Sequence, residues 1–171
     1  MAKKCDNTSV AVVVRKGQSI LMIERKKYNF GFALPAGHQD GDEPAATAKK
    51  ELSEEVGLIA EVIEERVRMS LLNSCKRDGG AYHDWTVFEA TRWIGKLKLS
   101  EDEVKKTFWA DRETIFKIAK RLEDFAGSLG ISITKENLPQ IVKATNSDPL
   151  WEQSPGLEPP MYFLFKELKL I

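Results

Sequence analysis

The chain has 171 residues, 26 Lys or Arg against 26 Asp or Glu, a formal net charge of zero and 42% hydrophobic residues. That composition supports a sizeable core and lacks the signature of disorder, so one domain over residues 1–171 is the default reading. A neutral balance argues against the broad basic footprint with which a protein holds duplex nucleic acid or an acidic membrane. The longest apolar runs, Val10 to Val14 and Met161 to Phe165, are short, against the roughly 20 residues a spanning helix needs, so no membrane span is expected. Met1 to Asp6 is too polar for the core of a signal peptide, and the cytoplasm is the expected compartment. Cys5 and Cys75 show neither metal-type spacing nor a disulfide framework and are read as incidental. His38 and His83 form no helical pair, and no zinc site is expected.

In chain order, Ser9 to Arg15 and Ser19 to Arg25 are apolar and β-branched runs joined at Lys16-Gly17-Gln18, the pattern of a hairpin. Phe32 to Leu34 reads as a short strand ending at Pro35. Asp42-Glu43-Pro44 offers an acidic cap and a proline for the first turn of a helix that Gly57 stops. Ile59 to Leu72 and Tyr82 to Arg92 read as a long antiparallel pair. Asp111 can cap a helix with Ile115, Ile118, Ala119, Leu122 and Phe125 on one face, ending near Gly127. A helical stretch around Leu138 to Ala144 follows, then a proline-rich loop from Asn146 to Pro160 and a last helix with Met161, Leu164, Phe165 and Leu168 on one stripe. The order is that of an α/β chain, with residues 126–171 a C-terminal extension whose loop from Asn146 to Pro160 is expected to serve as a lid or a dimer contact.

The most specific segment is the helix from Pro44. At 100° per residue, Glu54 and Glu55 fall about 60° to one side and about 40° to the other side of Glu51, so three carboxylates share an arc of roughly 100°. Ala48, Leu52 and Val56 border that arc, which places it at the edge of the buried stripe. Like charges at these spacings cost about 0.2–0.5 kcal/mol per pair, a cost that a divalent cation removes. All-oxygen ligands favour hard ions such as Mg²⁺ or Mn²⁺, which join carboxylates to substrate phosphates. Taken alone, the same arc also reads as a solvated helix face.

Lys50-Glu51-Leu52-Ser53-Glu54-Glu55-Val56-Gly57-Leu58, preceded by Gly37 and an acidic loop, resembles the signature of the Nudix hydrolases. Lys50 stands where that family has arginine, which keeps the charge and loses the planar fork. The loop is one residue short, and either Asp42 or Glu43 fills its acidic position; Asp42 is preferred because Pro44 then falls where the family often has proline. Leu34-Pro35-Ala36-Gly37, the strand Ile20 to Arg25 and the stretch Glu103 to Trp109 extend the resemblance over roughly residues 9–125.

The resemblance implies an α/β/α sandwich around a mixed sheet, with additional C-terminal helices. It further implies that the Gly37 carbonyl, Glu51, Glu54 and Glu55 bind Mg²⁺ or Mn²⁺, with Glu103 as a further carboxylate; Glu51 or Glu54 is expected as the base, with Glu103 or another downstream acid left open. The expected activity is metal-dependent hydrolysis of a phosphoanhydride bond in a nucleoside diphosphate linked to another moiety, a nucleoside triphosphate or a nucleotide sugar. The alternative is a noncatalytic nucleotide-sensing module on the same fold; a prenyl diphosphate isomerase ranks last, because no cysteine motif matches it. On the substrate side, Arg25 with Lys26 and Lys27, and Lys50, are phosphate candidates; one of Tyr28, Phe30 and Phe32 is a candidate to stack on a base, and Tyr82, His83, Asp84 and Trp85 are candidates to line the pocket. The expected partner is a small phosphorylated molecule, a nucleotide, with a homodimer as a further expectation.

Overall fold

The computed structural model describes residues 3–171; Met1 and Ala2, the head of the polar start, lie outside them. Strands β1 (Thr8–Lys16) and β2 (Ser19–Arg25) form the expected hairpin, paired at Arg15↔Ile20 and Lys16↔Ser19. Gly17 turns it with φ +61°, a value glycine reaches without steric cost. The apolar run from Val10 to Val14 is 0–1% exposed throughout. Side chains alternate across a strand, so continuous burial means that both faces of β1 are covered.

Two short strands follow where one was expected. β3 (Phe32–Ala33) pairs with β2, and β4 (Ala36–His38) leaves that pairing to lie antiparallel to β1, with Ser9 opposite His38. The long pair is present as β5 (Leu58–Leu71) and β6 (His83–Gly95), antiparallel to each other. β6 also runs parallel to β1, from Thr8↔Asp84 to Val14↔Ala90, so the sheet is mixed. A strand absent from the sequence reading, β7 (Val104–Ala110), pairs along β2.

Helix α1 (Pro44–Val56) has Pro44 in its first turn and ends at Gly57, φ +75°, whose N–H donates to the Ser53 carbonyl. Its apolar face of Ala48, Leu52 and Val56 is fully buried and packs chiefly on β1, β4 and β5. The expected acidic cap is Glu43 by position, with no side-chain bond to the helix. Helix α2 (Arg112–Ser128) is capped by Asp111, which accepts from the Thr114 N–H at 2.8 Å.

The region beyond 126 departs most from expectation. It holds α3 (Leu138–Ser147), α4 (Pro149–Gln153) and α5 (Pro159–Glu167), so the stretch from Asn146 to Pro160 is not one irregular loop. Trp151 is wholly buried, its ring tilted 45° to that of Phe125 of α2 at 4.8 Å, and donates its indole N–H to the Phe30 carbonyl at 3.0 Å. Leu157 bridges to Phe32 of β3, and the Phe32 N–H donates to the Gly156 carbonyl. An aromatic placed amid Asp and Pro hides its burial from any periodicity, because a five-residue helix is too short to show one. Among the described residues no helix is long and apolar enough to cross a membrane.

Candidate active site

The register of β1 builds the site. Its early residues face β4 on one side and the start of β6 on the other, and α1 packs across β4. The result is a cleft of about 290 Å³ lined by Gly37, Glu51, Glu55 and Glu103, with Arg25 and Glu158 beside them. Gly37 leaves room for the Glu51 carboxylate: a Cβ there would lie 2.2 Å from its carboxyl carbon and would push that side chain aside. Three of the acids named from the sequence therefore line one cleft together with Gly37.

Their electrostatics are those of crowded anions. Burial, with the charges of Glu54 and Glu103, pushes the Glu51 carboxyl up to about 7; the positive charge of Lys50 partly offsets this rise. Burial pushes Glu55 up to about 8, against the lowering influence of Arg25 and of the Ala36 N–H. Glu55 accepts from that N–H at 2.8 Å through Oε2 and from Arg25 Nη1 at 3.4 Å through Oε1. Each oxygen keeps a further lone pair, and the set of Gly37, Glu51, Glu55 and Glu103 is the hard-oxygen donor set that suits Mg²⁺ or Mn²⁺.

Other candidates fall elsewhere. Glu54 is exposed on α1 and does not line the cleft, although its charge acts on Glu51. Lys50 is likewise exposed and outside it. Phe32 lies away from the cleft, its ring edge-on to Phe108 at 5.4 Å with Lys106 over it. Trp85 does line the cleft, 5% exposed, with its indole N–H donating to Asn73 Oδ1 at 3.0 Å. Arg25 lines it too, but its guanidinium is already engaged: Nε donates to Glu158 at 2.8 Å and Nη1 reaches Glu55.

Sequence reasoning missed several lining residues. Glu158, 2% exposed, reaches the cleft from the C-terminal region, and no local pattern marks it. Lys76 and Arg77, the latter held by Asp40, line the cleft without any signal in the sequence, whereas Lys27, Tyr28 and His83 in its wall are candidates the sequence offers. Cys75, His38 and His83 line it as well, with Cys5 against them. The expectation that the two cysteines and two histidines are unrelated is thus corrected. Chain spacing is uninformative here because strand register, rather than a local loop, brings the four together. Burial, with Arg77 and His83 nearby, lowers His38 to about 4, and burial lowers His83 in the same direction.

The fold has counterparts among known proteins. The fold resembles a MutT NUDIX hydrolase from Burkholderia pseudomallei, with TM-score 0.55 and 20% identity over 63% of this chain and 84% of that one. It also resembles a NUDIX hydrolase from Nitrosomonas europaea, with TM-score 0.53 and 16% identity over 96% of this chain and 91% of that one. A C. elegans Ap4A hydrolase aligns with TM-score 0.50 and 18% identity over 72% and 97%. No curated protein matches the chain in sequence. The NUDIX domain family matches residues 6–128, which include all of α1 and Gly37 before it, and the chain belongs to the NUDIX domain family.

Proposed function

We propose that the protein is a divalent-cation-dependent hydrolase of a nucleoside diphosphate linked to another moiety, with a nucleoside triphosphate or a nucleotide sugar as the substrate class. The observation that carries this reading is the meeting of Glu51, Glu55 and Glu103 with Gly37 in one cleft. Mg²⁺ or Mn²⁺ held there supplies charge neutralisation on the phosphate oxygens. The chain's own residues do the rest. Lys27 and Lys76 at the cleft wall bind phosphate by charge-assisted hydrogen bonds, and Tyr28 and Trp85 flank the base.

Glu51 takes the proton of the attacking water. Of Glu51 and Glu54 it alone lines the cleft, and Glu103, the downstream acid also left open, lines the cleft but is exposed where Glu51 is half-buried. Arg25, tied to Glu55 and Glu158, positions Glu55 instead of touching phosphate.

A panel of nucleoside triphosphates, nucleotide sugars, dinucleoside polyphosphates and coenzyme A, with Mg²⁺ and with Mn²⁺, tests the proposal. Glu51→Gln is expected to lower kcat by about 10²- to 10⁴-fold, the range for losing a general base, and Glu54→Gln by much less. Nucleotide binding without phosphate release anywhere in the panel would favour the sensing module. A neighbour described as the NUDIX domain of Shewanella oneidensis NrtR complexed with ADP ribose, TM-score 0.50 at 16% identity, shows the fold holding a nucleotide in a protein of that name.

A further inference from the structure

At the same cleft as the carboxylates, Cys5, His38, Cys75 and His83 place one ligand atom each within 4.8 Å of one another. Cys5 Sγ lies 3.5 Å from Cys75 Sγ and 3.3 Å from His83 Nε2, and His83 Nε2 lies 3.2 Å from His38 Nε2. A tetrahedron with Zn–S near 2.3 Å and Zn–N near 2.0–2.1 Å has edges of about 3.3–3.8 Å. Three edges of the cluster are already at or within about 0.1–0.3 Å of those lengths. We propose that these four side chains form a Cys₂His₂ zinc site, separate from the magnesium- or manganese-type carboxylate set.

The surroundings match what a ligand shell needs. The Asn73 carbonyl, which can only accept, lies 2.8 Å from His83 Nδ1, so the ring proton sits on Nδ1 and the Nε2 lone pair faces the cluster. Asn73 is itself fixed by the Trp85 indole N–H. Gly80 is glycine because a Cβ there would fall 2.3 Å from Cys75 Sγ, and the Cys75 N–H donates to the Gly80 carbonyl. On the other side the Cys5 N–H donates to the Asp78 carbonyl. The two thiols therefore face each other across a hydrogen-bonded turn.

Four protein ligands make a closed site, which is structural in character; a catalytic zinc keeps an open position. The four come from the segment before β1, the end of β4, the β5–β6 connection and the start of β6. Zinc there pins the 72–82 connection to the sheet and holds Lys76 and Arg77 at the cleft. Binding requires both thiols as thiolates, so two protons pass to the buffer and no electron moves.

The full chain, purified without chelator, is expected to retain one zinc per chain. After exchange, Co²⁺ should show the intense visible bands of a tetrahedral ion with thiolate-to-metal charge transfer. Both signals should vanish in Cys75→Ser and in His38→Gln and persist in Glu51→Gln, which separates this site from the carboxylates. Weak octahedral cobalt absorption without charge transfer, or bands unchanged in Cys75→Ser, would overturn the proposal. Should the variants fail to fold, the wild type decides alone: excess Zn²⁺ must protect both thiols from a disulfide reagent, and unhindered reaction of the two refutes the site.

Discussion

Glu51 and Glu55 show how a single carboxyl can oppose the fold that holds it. Each binds its proton more tightly in the folded chain than in the unfolded one, Glu51 near 7 and Glu55 near 8 against an ordinary value of 4.5. Between those limits the native state carries the extra proton, so the stabilising contribution is complete at acid pH and is lost as pH rises through the folded values. The chelator-treated protein should therefore lose stability from this source between about pH 5 and pH 8. His38 and His83 act in the opposite sense, since their depressed values add stability as pH rises. The difference between wild type and Glu51→Gln in thermal midpoint across that range isolates the carboxyl. It should shrink as pH falls, and a difference independent of pH would contradict the buried-acid account. The acids were legible in the sequence because helical spacing fixes which of them neighbour each other. The same wheel sets Glu55 beside the buried stripe of Ala48, Leu52 and Val56 and Glu54 on its far side, and the structure buries the first and exposes the second.

At the scale of elements, α1 was readable to the residue, from the proline in its first turn to the glycine in left-handed conformation at its end. Its cap was not. Asp42 was the preferred acid of the loop, yet Glu43 sits at the cap position, with extended backbone and no bond from its side chain. Glutamate is one carbon too long to fold back on the first turn. Asp42→Asn and Glu43→Gln should each change stability by less than about 0.5 kcal/mol. Glu43→Ser should raise it by about 0.5–1 kcal/mol, as a side-chain cap forms; urea unfolding of the three variants checks the ranking. Strand β7 was missed for a different reason. Lys105 and Lys106 break its apolar run, and their charges are answered only across the strand pair, by Glu24 of β2 at 3.2 and 3.5 Å.

For the whole molecule, the C-terminal region is core material. Leu138, Ile141, Trp151, Leu157, Leu164 and Phe165 are all buried, continuous with the strand residues of the sheet. The expectation of a lid over 146–160 gives way to this packing. Trp151→Ala should cost about 3–5 kcal/mol, the range for emptying a large aromatic site, with denaturant unfolding as the measurement. Removal of residues 146–171 should abolish folding; a truncated chain with wild-type cleft chemistry would show that this packing is dispensable. Helix periodicity identified α5, whereas α4 escaped because its one buried side chain has no neighbours in sequence to mark a face.

The pair of Arg25 and Glu158 joins positions 133 residues apart, and this sets an order in time. A chain is made from its N-terminus at ~5–20 residues per second, so the box helix and its glutamates exist roughly ten seconds before the carboxylate that completes their arginine does. During that interval the guanidinium has only Glu55 to answer it, and Phe32 lacks the backbone of Gly156. A nascent chain thus carries the whole motif of its family without a finished cleft, and the catalytic wall closes only once the final helices have been synthesised.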